Sequence, residues 1–181
     1  FAAGPAFLIL TLQVIARVSS YNVPAKALLT LRNIVTVAMT INMFLLGSEL
    51  FTEFYTDSAH VASVTYLFFG LEGRHALVPW IWTAMLLDAV ALFLLYTPLS
   101  RRSGFLSTAC VLLIVGVWIE KGMGLIIPAF IPSPLGEIVE YLPTLNESFV
   151  SLGIWAFGLL VYTILVRVTI PVLAGELTDP A

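Results

Sequence analysis

The sequence predicts an all-α membrane protein, a polytopic bundle of about five transmembrane helices with short interfacial helices. Of its 181 residues, 60% are hydrophobic and 10% are charged, whereas roughly a quarter of the residues in a soluble domain are charged. The mean hydropathy is +1.02. A soluble core of this size could not bury so much apolar surface, so the sequence indicates lipid as the solvent.

Each predicted span is an apolar stretch that approaches the roughly 20 residues needed to cross a bilayer. The second opens after Pro24, and the third has Pro79 in its first turn, where no amide proton is required. The five spans are expected at about residues 3–18, 25–54, 78–96, 104–124 and 149–172.

Two connections are too apolar for simple loops and too short or broken to cross. Residues 61–71 suit an interfacial or re-entrant helix. Residues 125–143 contain several prolines, so we expect at most a short helix at 135–141. Both segments fall on the same predicted side of the membrane.

The distribution of Lys and Arg predicts the orientation. Six of the eight basic residues fall on one side, which the positive-inside rule makes cytoplasmic together with the C-terminus. Most acidic residues fall on the other side. The cytoplasmic residues are Arg17, Lys26, Arg32, Arg101, Arg102 and Arg167, against Arg74 and Lys121 outside.

The chain is expected to be one transmembrane bundle over residues 1–181. It begins at Phe1 in an already apolar stretch, and an odd number of spans would run from outside to inside. We therefore expect it to be the C-terminal half of a membrane subunit with about eight to ten helices.

Asp88 is the most informative polar residue. It lies about nine positions into the third span, roughly 14 Å below its start. Carboxyl groups at such depth usually face the bundle interior and mark proton or substrate routes. The alternative is that Asp88 forms a hydrogen bond that only holds two helices together.

The second span carries a polar stripe on one broad helical face, followed by Glu49. Such a stripe could pass protons toward Asp88, although interhelical hydrogen bonds use the same residue types. The predicted proton-path residues are Asp88, Asn33, Thr36, Thr40 and Glu49.

Titratable and aromatic residues cluster at the outer rim. Glu49 and Glu53 are one helical turn apart, so their charges repel unless a proton or cation intervenes. A quinol head group could release its protons there, but a solvated helix end and an aromatic belt explain the same residues. The rim candidates are Glu53, His60, Arg74, His75 and Trp80.

We expect the chain to bind no metal, haem or iron-sulfur cluster. It has two histidines, both in one connection, and one cysteine, Cys110, inside an apolar run. Its net charge of −3 argues against nucleic-acid binding.

The order and spacing of several loose motifs resemble the NrfD/polysulfide-reductase (PsrC-like) family of membrane subunits. Lys121 stands where that family usually has Arg, which keeps the charge but loses bidentate geometry. Residues 48–55 and 66–80 look most similar to the DsrP-type branch. The family motifs lie at residues 118–121 (Trp-Ile-Glu-Lys), 126–128 (Ile-Ile-Pro), 131–136 (Ile-Pro-Ser-Pro-Leu-Gly) and 143–144 (Pro-Thr), before a helix with Arg167 and Pro171.

This resemblance implies a subunit of a respiratory or sulfur-metabolism oxidoreductase complex in a bacterial or archaeal cytoplasmic membrane. It implies that the subunit exchanges electrons with quinol or quinone (menaquinone), with proton translocation as an option. It also implies two kinds of partner: an extracytoplasmic ferredoxin-like iron-sulfur subunit and other membrane subunits. Clusters and haem would belong to those partners. Glu120 and Lys121 would form a structural ion pair or contact the partner.

Two alternatives remain open at the level of sequence. The chain could be a structural membrane anchor for the iron-sulfur partner, without a quinone site of its own. It could also be a secondary transporter, although no helix centre is broken by Gly or Pro as transporters require.

Overall fold

The computed structural model describes residues 1–19, 23–56, 61–126, 131, 137, 138, 140 and 144–174. The chain divides into two compact units, Phe1–Glu140 and Tyr141–Ala181. Each unit is described by itself below.

The described residues confirm the predicted all-α class, since they form helices and turns with no strand. A short 3-10 helix, Pro98–Arg101, separates α4 from α5, and α5 continues without a break into a π-helical segment, Ile119–Ile126. The α-helices are α1 (Ala3–Val18), α2 (Ala25–Thr56), α3 (Val61–Phe68), α4 (Val78–Tyr96), α5 (Ser103–Trp118) and α6 (Leu145–Ala174).

Within the described part of the chain, four helical stretches are long and apolar enough to cross a membrane, which makes this a multi-pass membrane protein. The predicted first span is a shorter apolar helix of 16 residues. At about 1.5 Å per residue it covers roughly 24 Å, less than the 30 Å hydrocarbon core. The four stretches are Ala25–Thr56, Val78–Tyr96, Ser103–Gly124 and Leu145–Val172.

The centre of the first unit is the contact between α4 and α5. Buried residues recur along each helix at alternating steps of three and four, and several of them are small, so the two backbones approach closely. The stripe on α4 is Ile81, Ala84, Asp88, Ala91 and Leu95, and the stripe on α5 is Leu106, Ala109, Leu113 and Gly116.

Helices α1 and α2 pack against the same core through Ile9, Val35 and Met39, all fully buried. The Arg32 side chain crosses from α2 to the last turn of α4, where its Nη2 donates to the Leu95 carbonyl over 2.7 Å. Cys110 is buried among these residues as a free thiol.

The two ends of this unit differ in charge. We call the end that carries Lys26, Arg32 and Arg101 the basic end, and the end that carries Glu49 and Glu72 the acidic end. Helix α2 runs from the first to the second over 32 residues, about 48 Å.

A second apolar cluster covers the acidic end. Helix α3 occupies the segment predicted to be interfacial and buries Tyr66, Leu67 and Phe68 against Ile81. Ile131 and Ile138 pack on the same cluster. The short helix predicted at 135–141 lies mostly outside the described residues.

A tight turn connects α3 to α4. Leu71 and Arg74 exchange both of their backbone hydrogen bonds, and Glu72 and Gly73 between them have positive φ angles of 51° and 78°. This is the mirror-image turn that favours glycine.

The second unit contains α6, which begins with a capping box. The Glu147 carboxylate accepts a 2.7 Å bond from the Thr144 amide, and the Thr144 hydroxyl accepts a 3.4 Å bond from the Glu147 amide. Pro171 lies in its last turn.

Candidate functional site

Asp88 lies on the buried stripe of α4 and is only 1% exposed, so it faces neither lipid nor water. Directly opposite is Gly116 of α5, where an added Cβ would overlap the Asp88 carboxyl group. Because Gly116 has no side chain, there is room at this position for the Asp88 carboxyl group.

A second carboxyl group, that of Glu120, reaches Asp88 from the start of the π-helical segment. Glu120 is 3% exposed, and its carboxyl group interacts with that of Asp88. The structure thus brings together two buried acids that are separated in sequence by the rest of α4, the 3-10 helix and the whole of α5.

Two further side chains hold Glu120 in place. Asn42 of α2 donates from Nδ2 to Glu120 Oε2 over 2.9 Å. Lys121 Nζ lies 2.6 Å from Glu120 Oε1, and the Lys121 side chain is 44% exposed. The site therefore draws on three helices, and it contains one cation for two acids.

The Asp88 carboxyl oxygens are buried and accept no hydrogen bond from any described residue. Two ionised carboxylates can only accept hydrogen bonds, and side by side in a dry interior they repel. A single proton between them removes the repulsion, supplies a donor and leaves one negative charge for Lys121 to balance. The arrangement is suited to hold and release one proton.

The other predicted proton-path residues do not reach this pair. The hydroxyls of Thr36 and Thr40 donate to the carbonyls of Arg32 and Thr36 in their own helix, over 2.8 and 2.7 Å. Asn33 and Glu49 are exposed. Their role in a proton path stays a prediction.

The predicted rim residues that the structure describes lie at the acidic end but do not form one described pocket. Arg74 donates to the Ile138 carbonyl and His75 bonds to the Phe69 carbonyl over 3.1 Å. Glu53 is half-buried and Trp80 is 47% exposed. His60 lies outside the described residues.

Sequence analysis missed a polar contact at this end. Tyr66 donates to Glu140 Oε1 over 3.0 Å, and the Ala76 amide donates to the same oxygen over 3.3 Å. Burial of Tyr66, together with its bond to Glu140, raises the pKa of its hydroxyl from 10.0 to about 12. No local pattern in the sequence marks this pair.

The spacing of residues on α5 carries a sequence signal for the burial of Glu120 beside Asp88. Glu120 continues the three-and-four spacing of Leu113 and Gly116 on α5, so the same periodicity that predicts a buried face also places Glu120 on it. The contribution of Asn42 had no comparable signal, because α2 carries many polar residues.

No group of three or more His, Cys, Asp or Glu side chains in the described part of the chain could hold a metal ion. No family model, curated protein or solved structure matches the chain. The resemblance to the NrfD/polysulfide-reductase family therefore stays a prediction.

Proposed function

We propose that this chain is a proton-handling membrane subunit of a respiratory or sulfur-metabolism oxidoreductase complex, supporting quinol/quinone exchange. The observation that carries the proposal is the Asp88–Glu120 carboxyl pair, buried between helices and supplied with one cation, Lys121. Purely structural polar contacts in membranes seldom use two acids and leave carboxyl oxygens without donors.

Quinol oxidation releases protons and electrons in equal number, and quinone reduction takes both up. In this proposal the electrons pass to or from an iron-sulfur partner outside the membrane, while the protons need a route through the bundle. The pair offers one station on that route, where a proton resides on either Asp88 or Glu120.

The surrounding residues have distinct positioning roles. Lys121 balances the single negative charge that remains after one proton is bound, and Asn42 fixes the Glu120 carboxyl group by donating to Oε2. Because Lys121 is partly exposed, it links the buried pair to the surface of the unit.

The acidic end is the face that we propose for the ferredoxin-like iron-sulfur subunit, outside a bacterial or archaeal cytoplasmic membrane. The concentration of basic residues at the opposite end supports this orientation through the positive-inside rule. In the same orientation the C-terminus is cytoplasmic.

The test replaces Asp88 by Asn in the intact complex. Asparagine preserves the volume and a donor to Glu120 but cannot exchange a proton, so we expect quinol-linked electron transfer and proton uptake to fall about 100-fold or more. The infrared band of a protonated carboxyl group should also disappear. Thr108→Val, an exposed residue of α5 whose hydroxyl donates to the Gly104 carbonyl, is the control and should change neither rate nor band.

A second candidate function, the structural anchor, is favoured by the hydrogen bonds of the polar stripe. The hydroxyls of Thr36 and Thr40 bond within their own helix, and the Thr40 hydroxyl also bonds the Tyr96 hydroxyl of α4 over 2.8 Å. An iron-sulfur protein that co-purifies with the Asp88→Asn variant, with unchanged electron transfer and proton uptake, would select the anchor and reject the proton-handling role.

A further inference from the structure

A cavity of about 530 Å³ lies at the basic end of the first unit, opposite to the acidic end. Its walls come from α1, the start of α2, and the junction between α4 and α5. The proposed proton site does not contribute to it, so its ligand is a separate question.

The polar wall of this cavity carries positive charge. Arg32 and Arg101 both line it, and none of the described residues that line it is acidic. The Nη2 of Arg32 donates to the Leu95 carbonyl, whereas the Nε of Arg32 is buried and has no hydrogen-bond partner among the described residues. The guanidinium thus has donor capacity that the protein itself leaves unused.

A buried amide stiffens the same wall. Gln13 is 8% exposed; its Oε1 accepts a bond from the Ser107 hydroxyl and its Nε2 donates to the Ser103 carbonyl over 3.4 Å. These two hydrogen bonds hold the Gln13 amide in the cavity wall that Arg32 and Arg101 also line.

Asn33, Ser100 and Ser103 also line the cavity, and its remaining lining residues are apolar. Leu28, Leu29 and Leu106 give the cavity a hydrocarbon wall next to its cationic end. A ligand that matches both walls has an anionic head and an apolar chain, and it lies where a helix end meets the membrane interface.

We infer that this cavity binds an anionic phospholipid, with the phosphate on Arg32 and Arg101 and an acyl chain along the leucines. Guanidinium groups bind phosphate through paired, charge-assisted hydrogen bonds. Basic pockets between transmembrane helices at the cytoplasmic side hold anionic head groups in the same way. Free phosphate would satisfy the arginines and leave the apolar wall bare.

The experiment uses the purified full-length chain in a non-ionic detergent. Phosphatidylglycerol and phosphatidylcholine with identical acyl chains are added in turn, and bound lipid is counted by native mass spectrometry. We expect phosphatidylglycerol to bind at least about tenfold more tightly, and Arg101→Gln and Arg32→Gln each to weaken it about tenfold. Arg102→Gln, the neighbouring arginine outside the lining, should leave binding unchanged.

Arg32 also bonds the end of α4, so the Arg32→Gln variant could lose the fold. Arg101 forms no such side-chain bond with the described residues, so the Arg101→Gln variant keeps the test valid. Equal binding of the two lipids would overturn the inference, as would an equal loss in Arg102→Gln. Saturation by inorganic phosphate at the lipid's affinity, or displacement of the lipid by a quinone at that affinity, would likewise overturn it.

Discussion

Two sets of polar residues lie within the membrane-spanning part of the first unit, and they differ in how their hydrogen bonds are satisfied. The hydroxyls of Thr36 and Thr40 donate to carbonyls four residues earlier in α2. The Asp88 carboxyl oxygens, on the buried stripe of α4, accept no bond from any described residue.

The difference follows from side-chain chemistry. A threonine hydroxyl bonds within its own helix and can be placed almost anywhere on it at small cost. A carboxyl group has no such local solution and needs a proton, a cation or a donor from another helix. Polar spacing along one helix is thus weak evidence for function, whereas an unsatisfied buried acid is stronger evidence.

The largest effect is expected where the space around Asp88 is removed. Gly116→Val should lower the free energy of unfolding by about 3 kcal/mol, because the new side chain overlaps the carboxyl group. Gly47→Val, where nothing lies within 4 Å of the added Cβ, should change it by less than about 0.5 kcal/mol. Denaturation in mixed micelles measures the free energy of unfolding of both variants. Equal decreases would show that Gly116→Val does not disturb the packing around the Asp88 carboxyl group.

The next effect tests whether the two acids act as a unit. The free energy of unfolding is measured for Asp88→Asn, Glu120→Gln and the double variant. From this double-mutant cycle we expect a coupling free energy of about 2 kcal/mol between the two acids. The cycle of Asp88→Asn with Thr36→Val should give less than about 0.5 kcal/mol, since Thr36 bonds its own helix. Coupling of similar size in both cycles would erase the distinction between the two sets.

The Tyr66–Glu140 contact provides a pH-dependent comparison at the acidic end. Since folding raises the pKa of Tyr66 from 10.0 to about 12, its contribution to stability is complete below pH 10 and is lost as the pH rises toward 12. We expect a loss of about 1–2 kcal/mol over that window. Tyr66→Phe should remove this slope and Tyr55→Phe, an exposed residue, should keep it.

The smallest effect is expected in the polar stripe. Thr36→Val should cost about 0.6 kcal/mol in the membrane and leave proton uptake unchanged. A large fall in proton uptake by Thr36→Val, with the fold intact, would indicate that the polar stripe belongs to the proton path. The contrast between the stripe and Asp88 would then be weaker.

Much of the fold follows from local sequence. The bounds of α1 and α4 agree with the predicted spans at 3–18 and 78–96, because hydropathy sets the length and Pro79 and Pro98 mark the ends of α4. Helix α3, Val61–Phe68, lies within the segment 61–71 that the sequence predicts to be helical.

The site was only partly predictable. Asp88 could be placed at depth because one carboxyl group in an apolar helix is conspicuous. Its contacts with Glu120 and the positioning of Glu120 by Asn42 depend on how three helices pack, which no local pattern encodes. The π-helical geometry of residues 119–126, a segment that contacts α4, likewise has no local sequence pattern that predicts it.

The turn between α3 and α4 has a consequence for the histidine beside it. Gly70 has a φ of 85°, and an added Cβ would overlap the His75 ring, so the imidazole is confined against the backbone. A carbonyl oxygen can only accept, so His75 Nδ1 must carry the hydrogen that it shares with Phe69. The neutral ring is therefore the Nδ1–H tautomer, with its lone pair at Nε2.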